Sequence, residues 1–113
     1  MMTDDRLPTD LWVAAQLRLC HTRDMPAYLV RKGAAMGGLV LVKLLDASRQ
    51  CKIMTQSRDF DGNSGWQPAF DGACVDEREG DAYIGRAVSR DPDLWVIEVE
   101  SREGEMPFEG KIF

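Results

Sequence analysis

The sequence holds 113 residues with a formal net charge of −5, 44% apolar and 29% charged side chains. A chain of this length fits one domain over residues 1–113 and buries roughly 66% of its unfolded surface, enough for a core without staples. Such a composition excludes global disorder, and the acid excess argues against nucleic acid as a partner, because duplex binders gain affinity by neutralising phosphates with Lys and Arg.

Residues 1–8 read as a loose arm. The opening MMTDDRLPTD is acidic and polar, unlike a signal peptide. Thr9 or Asp10 then supplies a helix cap. The segment from Leu11 to Leu19 supports two patterns: Leu11, Ala15 and Leu19 with Trp12 beside them follow a helical stripe, while Leu11, Val13, Ala15, Leu17 and Leu19 alternate as in a strand. Propensity of the alanine pair, Gln16, Leu17 and Arg18 favours the helix, which Met25-Pro26 ends. Three strands follow, Ala27–Lys32, Leu39–Leu45 and Cys51–Gln56, the first two joined by Gly33–Gly38 read as a hairpin turn. The apolar run of the second predicts burial on both faces. FDGNSG forms a loop, and Trp66–Phe70 adds a short edge strand. A second helix spans Asp76–Arg90. The strand Leu94–Glu100 sets Trp95, Ile97 and Val99 on one face, and Leu94, Val96, Glu98 and Glu100 on the other. Residues 102–113 form a polar tail with Met106, Phe108, Ile112 and Phe113 as docking points. The expected architecture is an α+β two-layer sandwich in the order α-β-β-β-α-β, with an antiparallel sheet of four to five strands and both helices on one face.

Cys20, Cys51 and Cys74 are odd in number, widely spaced and without a CxxC pair, so the expectation is three reduced thiols, no zinc and no disulfide in a cytoplasmic protein. The apolar stretch Leu39 to Val42 is far too short for a membrane span. His21 is the single histidine. It adjoins Cys20, but neighbours on a helix do not share a face, so a surface or capping role outweighs a catalytic one. GAAMGG lacks a following helix, which a phosphate loop requires.

Asp91-Pro92-Asp93 reads first as a turn, with Asp91 bonding backbone N–H groups and Pro92 fixing the entry to the strand. Its competing reading is a carboxylate pair. Arg18, Arg31, Lys43 and Glu98 interrupt apolar segments. A cross-strand pair between Lys43 and Glu98 is one outcome, and a shared polar cleft is the other. Trp95 belongs to the core by its alternation, whereas Trp66 follows a loop and is the best exposed aromatic for a contact surface.

Three stretches, LWVAAQLR, VRKGAAMGGLVLVKL and DPDLWVIEVE, resemble domain of unknown function family 1491, a group of small alphaproteobacterial proteins. The resemblance covers nearly the whole chain. It implies a compact bacterial cytosolic domain with no assigned activity. In that family an aspartate often follows the first glycine of the turn; Ala34 and Ala35 stand here, so no ligand role carries over to this turn.

Two functional readings stay open. One is a non-enzymatic interaction or self-association module, with an unknown protein partner or a second copy. The other is a small ligand-binding or enzymatic domain using a cleft near Arg31, Lys43, Asp91, Asp93 and Glu98. Neither calls for a cofactor or a metal.

Overall fold

The strand Val40–Leu45, apolar but for Lys43, sits at the heart of the molecule because it is buried on both faces. The computed structural model describes residues 7–113. Most of the expected arm, residues 1–6, lies outside them. In chain order the elements are α1 (Thr9–Thr22), β1 (Ala27–Arg31), β2 (Val40–Leu45), β3 (Gln50–Arg58), β4 (Ser64–Pro68), β5 (Val75–Asp76), α2 (Glu77–Arg90), β6 (Trp95–Glu100) and β7 (Lys111–Ile112). The strands form one sheet in the order β1-β6-β2-β3-β4-β7, with β5 paired to β3.

The α+β class holds, with two revisions. First, the sheet is mixed rather than antiparallel: β2 and β6 run parallel, as do β4 and β7. The last long strand returns to the middle of the sheet, between β1 and β2, instead of extending the meander. With the two-residue β5 and β7, the described sheet has seven strands. Second, the helices cover opposite faces. Val13 and Cys20 of α1 pack with Val40, Val42, Leu44, Trp95, Ile97 and Val99. Tyr83, Ile84, Ala87 and Val88 of α2 pack with Leu41, Leu45, Ile53 and Val96. Alternation along β2 and β6 divides these residues cleanly, since successive strand side chains point to opposite sides.

Residues 11–19 are helical, and propensity outweighed the alternation. The inward stripe is Val13 and Cys20 with partly buried Leu17 between them, and Leu11 and Leu19 of the expected stripe are exposed. Apolar residues surround this helix, so periodicity alone does not select its inner face. The cap residue is Pro8 in place of Thr9 or Asp10 and has no side-chain bond to offer, and Asp10 Oδ1 accepts from Leu11 N–H in the first turn (2.8 Å). Thr9 Oγ1 donates to Gly38 O instead (3.0 Å). In α2, Asp76 caps the first turn by accepting from Glu79 N–H (2.8 Å).

Gly33–Gly38 is no hairpin turn, because β6 separates β1 from β2. The segment crosses over the start of β6. Trp95 Nε1 donates to Ala34 O (2.6 Å), and Ala34 N–H donates to Asp93 O (3.0 Å). A Cβ on Gly33 would lie 2.1 Å from Asp93 O, and one on Gly38 2.6 Å from the same oxygen. The glycines are therefore there for close backbone approach.

Two further expectations change. Trp66 is not exposed: it is 1% accessible, packs with Trp12 and Phe108, and donates from Nε1 to Glu109 O (3.0 Å). The tail covers it. Phe108 is buried and β7 pairs with β4, so residues 102–113 are part of the fold.

Truncation of buried Trp95 to Ala should cost about 3–5 kcal/mol of the roughly 5–15 kcal/mol available to such a domain. Asp91 Oδ1 accepts from Asp93 N–H (3.1 Å), an Asx turn, and its loss in Asp91→Ala should cost about 1 kcal/mol. Urea unfolding of both variants checks the order, and an Asp91→Ala chain as stable as wild type would refute the turn role.

Candidate functional site

Lys43 lies inside the apolar strand β2, facing α2, and only 4% of its side chain is accessible. A buried ammonium persists only when it is paired. Here three carboxylates from two elements meet it. Nζ lies 2.8 Å from Glu77 Oε2 and 2.8 Å from Asp81 Oδ1, both on α2. Glu98 Oε1 stands at 3.4 Å, placed by the parallel register that sets Lys43 beside Glu98. Arg49 braces Glu77 from outside (3.2 Å). Of the two outcomes open for Lys43 and Glu98, the cross-strand pair is the observed one. The two α2 acids were not legible as partners, because helix-to-strand register is set only by packing.

Burial alone pulls the Lys43 amine towards neutrality, but the hydrogen bonds it donates to Asp81 and Glu77 and the charge of Glu98 outweigh it and raise its pKa. An amine held this firmly protonated has no lone pair for attack or for proton abstraction. The same ion pairs tie α2 to the sheet. Beside it, burial pushes the Cys51 thiol up to about 11, and burial also raises Cys20. Neither is an activated nucleophile, since the thiolate is the reactive form.

The other predicted residues do not converge on this point. Arg31 Nη1 donates to the carbonyls of Pro92 (2.9 Å) and Leu94 (2.8 Å), stitching β1 to the entry of β6. Asp91 and Asp93 belong to that same turn, with Asp93 exposed. Arg18 is exposed on α1, across the sheet from Lys43. Trp66 is core. His21 Nε2 contacts Ala27 O (3.2 Å), tying the end of α1 to β1.

Three surface features are left. Tyr28, Leu29 and Val30 of β1 are 50%, 45% and 56% exposed. A crevice of about 850 Å³ opens beside Leu45 and Glu100. A second, of about 750 Å³, lies beside the start of α1 and is lined by Leu7, Trp12, Met36 and Leu39. None of Arg31, Lys43, Asp91, Asp93 and Glu98 lines either crevice. Sequence reasoning missed the exposed strand, because a Tyr-Leu-Val run looks the same at an edge as in a core.

A family model described as "Protein of unknown function (DUF1491)" matches residues 7–109. A crystal structure of a DUF1491 family protein from Caulobacter crescentus CB15 is 33% identical with a TM-score of 0.86, covering 96% of this chain and 100% of that one. An NMR structure of a DUF1491 family protein from the same organism is 35% identical with a TM-score of 0.82, covering 95% and 96%. The solution structure of protein Atu0922 from A. tumefaciens, 22% identical over 89% of each chain with a TM-score of 0.75, shares the fold. No curated protein matches the chain.

Lys43 holds the Glu77 carboxyl below its usual range through their hydrogen bond and charge. A carboxyl depressed by folding stabilises above its unfolded pKa of about 4.3 and loses that contribution as pH falls through its folded value. Lys43→Met should cost about 1–3 kcal/mol at pH 7, discounted because Glu77 and Asp81 reach solvent. The variant should also lose less stability than wild type between about pH 5 and pH 3. Urea titrations across pH check both. Thiol labelling of the native protein should show one fast group, exposed Cys74, with buried Cys20 and Cys51 reacting only on unfolding.

Proposed function

The chain belongs to the DUF1491 family of proteins of unknown function, and on that premise we propose that it is a non-enzymatic self-association module whose β1 edge pairs with the same edge of a second copy. The observation that carries this reading is the contrast between the two ends of the sheet. Natural edge strands are blunted by shortness, proline or charge. At one end β7 has two residues and Pro68 closes β4. At the other, β1 has five residues, no proline and no charge before Arg31, and no strand pairs its outer side among the described residues.

Self-complementarity selects a second copy as the occupant. Antiparallel pairing about a two-fold axis through Leu29 sets Tyr28 of each copy opposite Val30 of the other. Aromatic and β-branched pairs of this kind contribute about 0.2–1 kcal/mol each. The register shifts between Leu29 and Arg31, which bends the strand and limits the length that pairs. A short ladder buries less than the roughly 800 Å² per partner of a stable interface, so the expected association is weak, with Kd about 10 µM to 1 mM. Each copy carries a net charge of −5, so added salt should tighten it by screening. The unpaired cysteines favour a reducing cytoplasm as its setting. No described helix is long and apolar enough to cross a membrane.

Sedimentation equilibrium should show a concentration-dependent dimer that strengthens with salt. Leu29→Lys should keep the chain monomeric without unfolding it, because Leu29 is half-exposed. Met36→Lys, an equally apolar but remote exposed position, should leave dimerisation unchanged. A wild-type chain that stays monomeric to about 1 mM overturns the reading.

A further inference from the structure

β2 and β6 run parallel as neighbours, so their carboxyl ends, Leu45 and Glu100, open on the same side. From there the chain diverges. The strand β2 turns back into β3, whereas the segment after β6 crosses to the α1 face, where Met106 and Phe108 pack. In open α/β sheets ligands gather outside the carboxyl ends of parallel strands, and the β2–β6 pair is a two-strand counterpart of that arrangement. The crevice of about 850 Å³ occupies this place, within the usual size of small-molecule sites.

Its chemistry is amphipathic. Met25, Pro26, Leu45 and Met106 supply apolar walls, and Arg23, Arg49 and Arg102 reach it from three separate segments. Backbone donors at the strand ends are consumed: Ser101 N–H donates to Leu45 O (2.8 Å) and Ala47 N–H to Arg102 O (3.2 Å). Recognition therefore falls to side chains. Asp46 already accepts from Ser48 and Gln50, and Glu105 from Ser101 Oγ. Glu100 accepts from Tyr28 Oη (3.5 Å), and Arg49 is held by Glu77. Arg23 is braced by its bond to Pro107 O (3.2 Å), and Arg102 makes no ion pair among the described residues. Asp24, Asp46, Glu100 and Glu105 stand in the same lining as the three arginines, so the rim as a whole disfavours a doubly charged ligand and a single carboxylate must sit between Arg23 and Arg102. Asp24 and Arg49 both hold positive φ, 57° and 67°, a strain that collects at ligand clamps.

We propose that this crevice binds a small organic acid, one carboxylate on an apolar tail, with Arg102 and Arg23 holding the carboxylate and Met25 and Met106 flanking the tail. The site adjoins the β1 edge through the Tyr28–Glu100 bond, but its binding is read at Arg102 and does not require that edge to pair.

The test is a heteronuclear NMR titration of the intact chain with decanoate, decanol and an apolar pentapeptide bearing a free C-terminus. Decanoate should give saturable shifts at the Ala47, Arg102 and Glu105 amides, with Kd about 0.1–2 mM for a ligand of about a dozen heavy atoms. Decanol, lacking the charge, should bind at least about tenfold more weakly, and Arg102→Gln should weaken decanoate by about the same factor. Arg102 is exposed, so this variant keeps its fold, which its unchanged spectrum elsewhere verifies. Absence of saturable shifts at these amides, equal binding of decanol, undiminished binding by Arg102→Gln, or binding of the pentapeptide but not of decanoate would each overturn the proposal.

Discussion

The insertion of β6 between β1 and β2 is the constraint on which the rest of this structure depends. Two central strands lie side by side in parallel, Val40 beside Trp95 and Leu44 beside Val99. Parallel neighbours cannot be joined by a tight turn, so β3, β4, β5 and α2 all lie in the crossover between them. That crossover brings α2 onto the face opposite α1. It also forces the chain from β1 to β2 to pass over the start of β6, where only glycine fits against Asp93 O. One placement thus explains the layers, the glycines and the location of the larger crevice.

Lys43 shows how a polar group is accommodated in such a centre. Its strand is otherwise wholly apolar, and burying an unpaired ammonium would cost several kcal/mol. Parallel register supplies Glu98, and the crossover helix supplies Glu77 and Asp81. The acids keep contact with solvent while the amine does not, so the desolvation cost falls mainly on one group. Gly80 belongs to the same packing: a Cβ there would lie 2.4 Å from Cys51 Sγ. A glycine that weakens an isolated helix by about 1 kcal/mol is what lets this helix approach the sheet closely enough for its acids to reach Lys43.

The two ends of the sheet are finished differently. The tail folds back over Trp66, with Phe108 in the cluster and Trp66 Nε1 bonded to Glu109 O. That end is closed by aromatic packing, the Trp12, Trp66 and Phe108 rings lying 5.7–6.2 Å apart. The β1 end carries exposed Tyr28, Leu29 and Val30. Lys43, Cys20 and Cys51 are buried in the packing, and the features that remain at the surface are the β1 edge, the crevice at the strand ends and the crevice beside the start of α1.

Much of the fold was legible because local chemistry fixed it. Period-two alternation placed Trp95, Ile97 and Val99 on one face and Glu98 on the other. The apolar run of β2 announced burial on both sides, and Asp91-Pro92 marked the end of α2. Even the pairing of Lys43 with Glu98 was one of the two outcomes open to charges that interrupt apolar strands. What sequence left undetermined is non-local. Short connections favour antiparallel neighbours, and nothing along the chain signals that the last long strand returns to the centre. The face taken by each helix, the burial of Trp66 beneath a polar tail, the exposure of β1 and the meeting of three arginines all follow from that return. A sequence sets which side of a strand is apolar, because side-chain direction is a property of a few consecutive residues. It does not set which strand lies alongside, because that is decided by burial summed over the whole sheet, and only the tertiary structure performs that sum.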